Sequence, residues 1–195
     1  MREKLARLIS NIINPFLVSV IVILLLAFKA TDTVVDAVKW ALISLVLSVL
    51  PVFIVITYMV RRRKLDGFFV NPRQQRNVIY ILASALGALS CGLLWYLKAP
   101  DLLAVTFTAG LAAIIIFMTI NYFWKISLHT AFTAASVVVI IMVYGVAAAW
   151  TFILILPVAW ARIKLKQHSA AQVITAGLLA SVIVAVVFWG FGMAG

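Results

Sequence analysis

The sequence predicts an all-α protein, a polytopic bundle of transmembrane helices, and three observations lead there. Of its 195 residues 66% are hydrophobic, and the mean hydropathy of +1.21 exceeds what a soluble core can use. The apolar residues fall into separate runs, most of them near the roughly 20 residues that cross a bilayer as helix. The basic residues gather at the ends of those runs, as where the second stops at Arg61-Arg62-Arg63-Lys64. One membrane domain follows, with an interfacial helix and two spans in residues 1–60 and the remaining spans in 61–195. Cys91 is the single cysteine, so no intrachain disulfide is possible, and its apolar neighbours mark it as a small packed hydrophobe. The net charge of +11 reflects topology and anionic lipid headgroups rather than nucleic acid, because the cations flank apolar runs.

Residues 1–13 set Arg2, Lys4 and Arg7 against Leu5, Leu8, Ile9 and Ile12, the pattern of a short helix lying in the interface. The run 15–28 reads as a retained span, since no small-x-small cleavage site follows Lys29. The run 38–60 carries Pro51 mid-span, a kink tolerated where a neighbouring helix satisfies the freed carbonyl. Residues 65–77 form the longest hydrophilic insertion. Runs at 78–97 and 102–123 follow, joined by Lys98-Ala99-Pro100-Asp101. Segment 124–130 interrupts with Lys125, Ser127 and His129. Runs 131–144 and 146–160 read as two shorter helices hinged near Gly145, and 169–189 is the last span. The expected total is six or seven spans.

Alternating spans bring the N-terminus and the loops at 61–77, 124–130 and 162–168 to one face. That face then holds every Lys and Arg except Lys29, Lys39 and Lys98, so the positive-inside rule assigns it to the cytoplasm of a cell-membrane protein. Both histidines, His129 and His168, come to the same face, each just before a helix start. Helix N-termini expose unsatisfied N–H groups and a partial positive charge, where phosphate can sit. Arg162, Lys125, Arg73, Lys64 and Arg76 supply cations, with Arg offering a bidentate fork. Two histidines, several cations and few acids suit a phosphate ester. No tight cluster of metal ligands is visible, and no cofactor or metal is expected.

These residues carry a resemblance. Arg162, five residues, His168, three residues and Gln172 resemble the third signature of the type 2 phosphatidic acid phosphatase (PAP2) superfamily, Ser-Arg, five residues, His, three residues, Asp. Ser127-Leu128-His129 resembles its second signature, Pro-Ser-Gly-His. The first, Lys, six residues, Arg-Pro, is matched loosely by Lys64 and by Asn71-Pro72-Arg73 in altered order. The resemblance covers about residues 61–180 and implies that 61–195 is a PAP2-like catalytic core. It implies metal-independent hydrolysis of a phosphomonoester or diphosphate through a phosphohistidine. By position His168 is then the nucleophile, and His129 protonates the leaving oxygen. Arg162, Ser127, Lys125 and the cations Lys64, Arg73 and Arg76 hold the equatorial oxygens.

The departures from the pattern bear on activity. Gln172 stands where the family has Asp. Its carbonyl oxygen can accept the imidazole N–H and fix the tautomer, but it carries no charge to stabilise an imidazolium. Leu128 replaces a glycine and Ala161 a serine. The expected function is an integral membrane lipid phosphatase acting on phosphatidate, phosphatidylglycerophosphate or a polyprenyl phosphate. The alternative is a degenerate relative that binds or transports lipid phosphates without hydrolysis. The expected partners are the bilayer and the lipid phosphate. The sequence gives no ground for an oligomeric state.

Overall fold

A computed structural model describes residues 1–69 and 72–193. Asn71, part of the loosely matched first motif, lies outside them. Among the described residues every regular element is helical: α1 (Arg2–Ile12), α2 (Pro15–Lys29), α3 (Val34–Leu47), α4 (Val49–Arg61), α5 (Arg73–Tyr96), α6 (Asp101–Phe123) and α7 (Leu128–Tyr144). A 3₁₀ segment (Val146–Leu154), α8 (Ile155–Lys164) and α9 (Ala170–Gly190) complete the chain.

Among the described residues five stretches are long and apolar enough to cross a membrane: α3 with α4, α5, α6, the 3₁₀ segment with α8, and α9. A sixth exists if α1 and α2, bent by 42° at Ile13-Asn14, make one broken span. A seventh would need α7, whose 17 residues rise only about 26 Å against a hydrocarbon core of about 30 Å. The described residues thus form an all-helical integral membrane protein with five or six candidate spans.

The helix boundaries have local causes. At the bend before α2, Asn14 Oδ1 accepts from the N–H groups of Phe16 and Leu17 at 2.9 and 3.1 Å, and Pro15 occupies the first helical position, where no N–H is needed. Thr33 caps α3 by accepting from Asp36 N–H at 3.1 Å. The break between α3 and α4 at Ser48 is the work of Pro51, which has no N–H to give to Leu47 O. Ser90 of α5 supplies the missing donor, its hydroxyl lying 2.7 Å from Leu47 O.

By its contacts the chain forms two compact units, 23–124 and 1–22 with 125–195. In the first, α5 and α6 pack along their length and α3 and α4 pack on α5. Polar contacts run down the α5–α6 seam: Asn77 to Asn121 at 2.8 Å, Cys91 to Thr108 at 3.3 Å, and Trp95 Nε1 to Thr108 at 3.2 Å. In the second, α7 packs on α9, α8 touches both, and α1 lies on α8. The α7–α9 contact uses small residues. Ala131, Ala134, Ala176 and Ala180 are buried, and a β-carbon placed on Gly177 would meet Thr130 Cγ2 at 3.7 Å and Ala134 Cβ at 3.8 Å. The opposite ridge of α9, Ile174, Leu178, Val182, Val186 and Trp189, is exposed, as a lipid-facing surface should be.

Candidate functional site

The turn from α8 to α9 carries most of the candidate residues. After α8, Lys166 takes a left-handed conformation (φ 53°), its N–H reaching Ile163 O at 2.9 Å, while Gln167 N–H reaches Arg162 O at 3.1 Å. This pair of bonds is a Schellman motif, which reverses the chain within three residues. The His168 N–H also points at Arg162 O, at 3.3 Å. Arg162 therefore holds the backbone of His168, five residues of spacing being what one such turn spans.

On the far side of the turn, α9 opens with a capping box. Ser169 Oγ accepts from Gln172 N–H at 3.3 Å, and Gln172 Oε1 accepts from Ser169 N–H at 3.2 Å. The same Oε1 lies 3.1 Å from His168 Nδ1. A backbone N–H can only donate, so the Gln172 atom facing Ser169 is its carbonyl oxygen. An amide oxygen can only accept, so Nδ1 of His168 is the donor of this contact, an arrangement that in a neutral ring leaves the lone pair on Nε2. His168 is buried, as is Arg162, whose Nη1 donates to Ser10 Oγ of α1 at 2.8 Å.

At the start of α7, Ser127 is fully buried and serves as the helix cap, its Oγ 3.0 Å from Thr130 Oγ1 and accepting from Thr130 N–H at 3.5 Å. His129 is buried two residues on, and its carbonyl accepts from Thr133 Oγ1 at 2.8 Å. Lys125 is half-buried in the extended segment before the helix. Because Gly177 faces Thr130 and Ala134, the first turns of α7 lie level with the second turn of α9. Both histidines therefore fall toward the same end of the α7–α9 pair.

Lys64, Arg73 and Arg76 belong to the other unit and have local partners or open exposure there. Arg73, exposed, donates from Nη1 to Phe123 O at 3.0 Å, which caps the last turn of α6 with a cation where the helix dipole favours one. Arg76 is buried and donates from Nη2 to Tyr80 OH at 3.1 Å. Lys64 is exposed after the Schellman turn that ends α4.

Electrostatically, the unit bearing the histidines holds one acid, Glu3, and the cations Arg2, Lys4, Arg7, Lys125, Arg162, Lys164 and Lys166. Among the described residues no three His, Cys, Asp or Glu side chains come together as metal ligands. The excess of cations gives this unit a positive field, which favours anions over cations. Two participants escaped the sequence reading. The capping box was visible as Ser169-x-x-Gln172 ahead of an apolar run. Ser10 was not, because 152 positions separate it from Arg162 and only the docking of α1 on α8 joins them. No family model, no curated protein and no solved structure matches this chain.

Proposed function

We propose that this protein is a lipid phosphatase of the PAP2 type, hydrolysing a phosphomonoester or diphosphate of a membrane lipid through a phosphohistidine. The observation that carries the reading is the Nδ1 contact of His168. With Gln172 Oε1 accepting from Nδ1–H, Nε2 is the ring atom that would attack phosphorus. Attack by Nε2 would form the N–P bond as the lipid oxygen departs, taking a proton from His129. Water would then cleave the phosphohistidine, releasing orthophosphate. Arg162, Ser127 and Lys125 of the same unit are the groups to hold the equatorial oxygens. The basic ends of the helices support a cytoplasmic active face.

A second reading rests on a specific observation. Gln172 is neutral, and residues 125–195 contain no Asp or Glu to take its place, so an imidazolium at His168 gains no carboxylate from this segment. On that reading the protein binds or carries lipid phosphates without cleaving them.

Phosphate release from phosphatidate and from polyprenyl diphosphate, measured in bilayers with EDTA present, separates the two. Hydrolysis is expected to survive EDTA and to vanish in His168→Ala. Absence of release from the unmodified protein, with lipid phosphate still bound, establishes the non-catalytic reading.

A further inference from the structure

α1 has three faces. Ala6 and Ser10 are buried against α8; Lys4, Arg7 and Asn11 form a polar exposed stripe; Leu5, Leu8 and Ile12 form an apolar exposed ridge, each about half accessible. A helix that only floated in the interface would have two faces, polar and lipid-facing. The third face packs on protein, and its one polar atom is spent on Arg162.

We infer that Ser10 is a positioning residue of the phosphate site, its hydroxyl fixing the Arg162 guanidinium, so that α1 is a working part of the site rather than a membrane anchor alone. The inference rests on the lipid-phosphate reading above. The hydroxyl is 2.8 Å from Nη1 and both side chains are buried, Ser10 to 3% and Arg162 to 5% of their accessible surface. A hydrogen bond from a buried cation is charge-assisted and is among the stronger contacts a hydroxyl can make. A guanidinium is planar and its donors diverge at fixed angles, so holding Nη1 sets the direction of every other N–H. Arg162 also holds His168 through its carbonyl, and His168 is held through Nδ1 by Gln172. Ser10, Arg162, His168 and Gln172 are thus one hydrogen-bonded series running from α1 through α8 to α9. The two ends of Arg162 place the cation and the imidazole relative to each other, and Ser10 holds the side-chain end at Nη1.

Geometry explains why serine serves at position 10. Ala6 one turn earlier is fully buried, and on α8 Val158 and Ala161 are fully buried beside Arg162. The two helices approach over small residues, and a longer polar side chain at position 10 would hold them apart. The exposed Leu5-Leu8-Ile12 ridge and the Lys4-Arg7 stripe suit an anionic lipid surface, which presses α1 onto the same leaflet that supplies the substrate.

Binding of dihexanoyl phosphatidate to the full chain in detergent, titrated calorimetrically in a His168→Ala background to prevent turnover, tests this. Ser10→Ala is expected to weaken binding about tenfold, the size of one charged hydrogen bond lost from a positioned group. Ser10→Thr, which keeps the hydroxyl, is expected to restore binding to within about threefold. In an Arg162→Ala background Ser10→Ala is expected to cost nothing further, because its target is gone. Ser10→Ala with unchanged affinity, or with the same loss when Arg162 is already absent, overturns the inference and leaves the lipid-phosphate reading standing. No binding by the parent chain removes that reading and the inference with it.

Discussion

Gln172 has two duties on one oxygen, capping α9 through Ser169 N–H and orienting His168 through Nδ1. Two substitutions probe these duties. Gln172→Glu keeps the chain length and the capping geometry and adds the charge that an imidazolium would favour, so turnover is expected to rise; unchanged kinetics in steady-state phosphate release would mean that the oxygen does not act on His168. Gln172→Leu removes both duties. Thermal unfolding in detergent is expected to show a loss of about 1 kcal/mol from the cap, and turnover to fall by as much as about 10⁴, the scale on which a misplaced histidine proton acts. Elsewhere three cations, Arg63, Lys98 and Lys166, sit in the left-handed position that closes α4, α5 and α8, where Gly192 closes α9. A side chain there costs about 1 kcal/mol that glycine avoids, partly offset by the attraction of a cation to the helix C-terminus. Lys98→Gly, far from the histidines in sequence and exposed, is therefore expected to raise unfolding stability by up to about 1 kcal/mol without altering phosphate release. A loss of stability in that variant would show that the Lys98 charge outweighs the backbone strain.

Among the helices, the break between α3 and α4 and the α7–α9 seam show how sequence chemistry becomes packing. Pro51 orphans Leu47 O and Ser90 satisfies it, so the two residues should be coupled. Ser90→Ala is expected to destabilise the protein by about 1–2 kcal/mol, and much less when Pro51→Ala has returned an N–H to the same carbonyl. A double-mutant cycle in unfolding free energy reads the difference; equal costs in both backgrounds would mean that Ser90 serves only its own helix, where it also reaches Leu86 O. Along the other seam, Gly177→Ala adds a methyl at ordinary contact distance from Thr130 and Ala134 and is expected to be neutral or mildly stabilising, since alanine favours helix. Gly177→Leu needs room that the seam lacks. It is expected to part α7 from α9 and to cost activity before it costs expression, as the helix carrying His129 shifts. The Pro51 kink and its need for a donor were legible in the sequence; which side chain would donate was not, because the 43 residues between Leu47 and Ser90 hide the pairing. Hydropathy also placed the start of the third span at Val78, whereas α5 begins at Arg73: the first five residues, Arg73, Gln74, Gln75, Arg76 and Asn77, are helical but polar, and an apolar window cannot see them.

Across the whole molecule, apolar runs and basic ends were sufficient to read an all-helical membrane protein, because transfer into lipid dominates every other term. The pairing of His168 with Gln172 was legible for a different reason, being local: residues four apart at a helix start are neighbours on any path the chain takes. What remained out of reach was long-range, namely the docking of α1 on α8 and the contact of Arg73 with Phe123 O, each of which depends on how helices pack. One global quantity decides whether the proposed site can exist. If α7 crosses the membrane, Lys125 before it and Lys166 after α8 lie on one side and Val146 on the other; if it does not, Lys125 and Lys166 are separated by the span that includes α8, and the histidines cannot act on one phosphate. Seventeen residues fall about three short of comfortable, but a short helix is accommodated by local thinning of the bilayer at modest cost. The common end shared by His129 and His168 in the α7–α9 pair argues that α7 does cross. Single cysteines test it in a Cys91→Ser background, where the contact to Thr108 is kept by the new hydroxyl. Lys125→Cys and Lys166→Cys are expected to react with an impermeant maleimide from the same side of sealed vesicles, and Val146→Cys, 84% exposed, from the opposite side. Reaction of Lys125→Cys and Lys166→Cys from opposite sides would dismantle the site, since no packing of helices brings groups together across the hydrocarbon core.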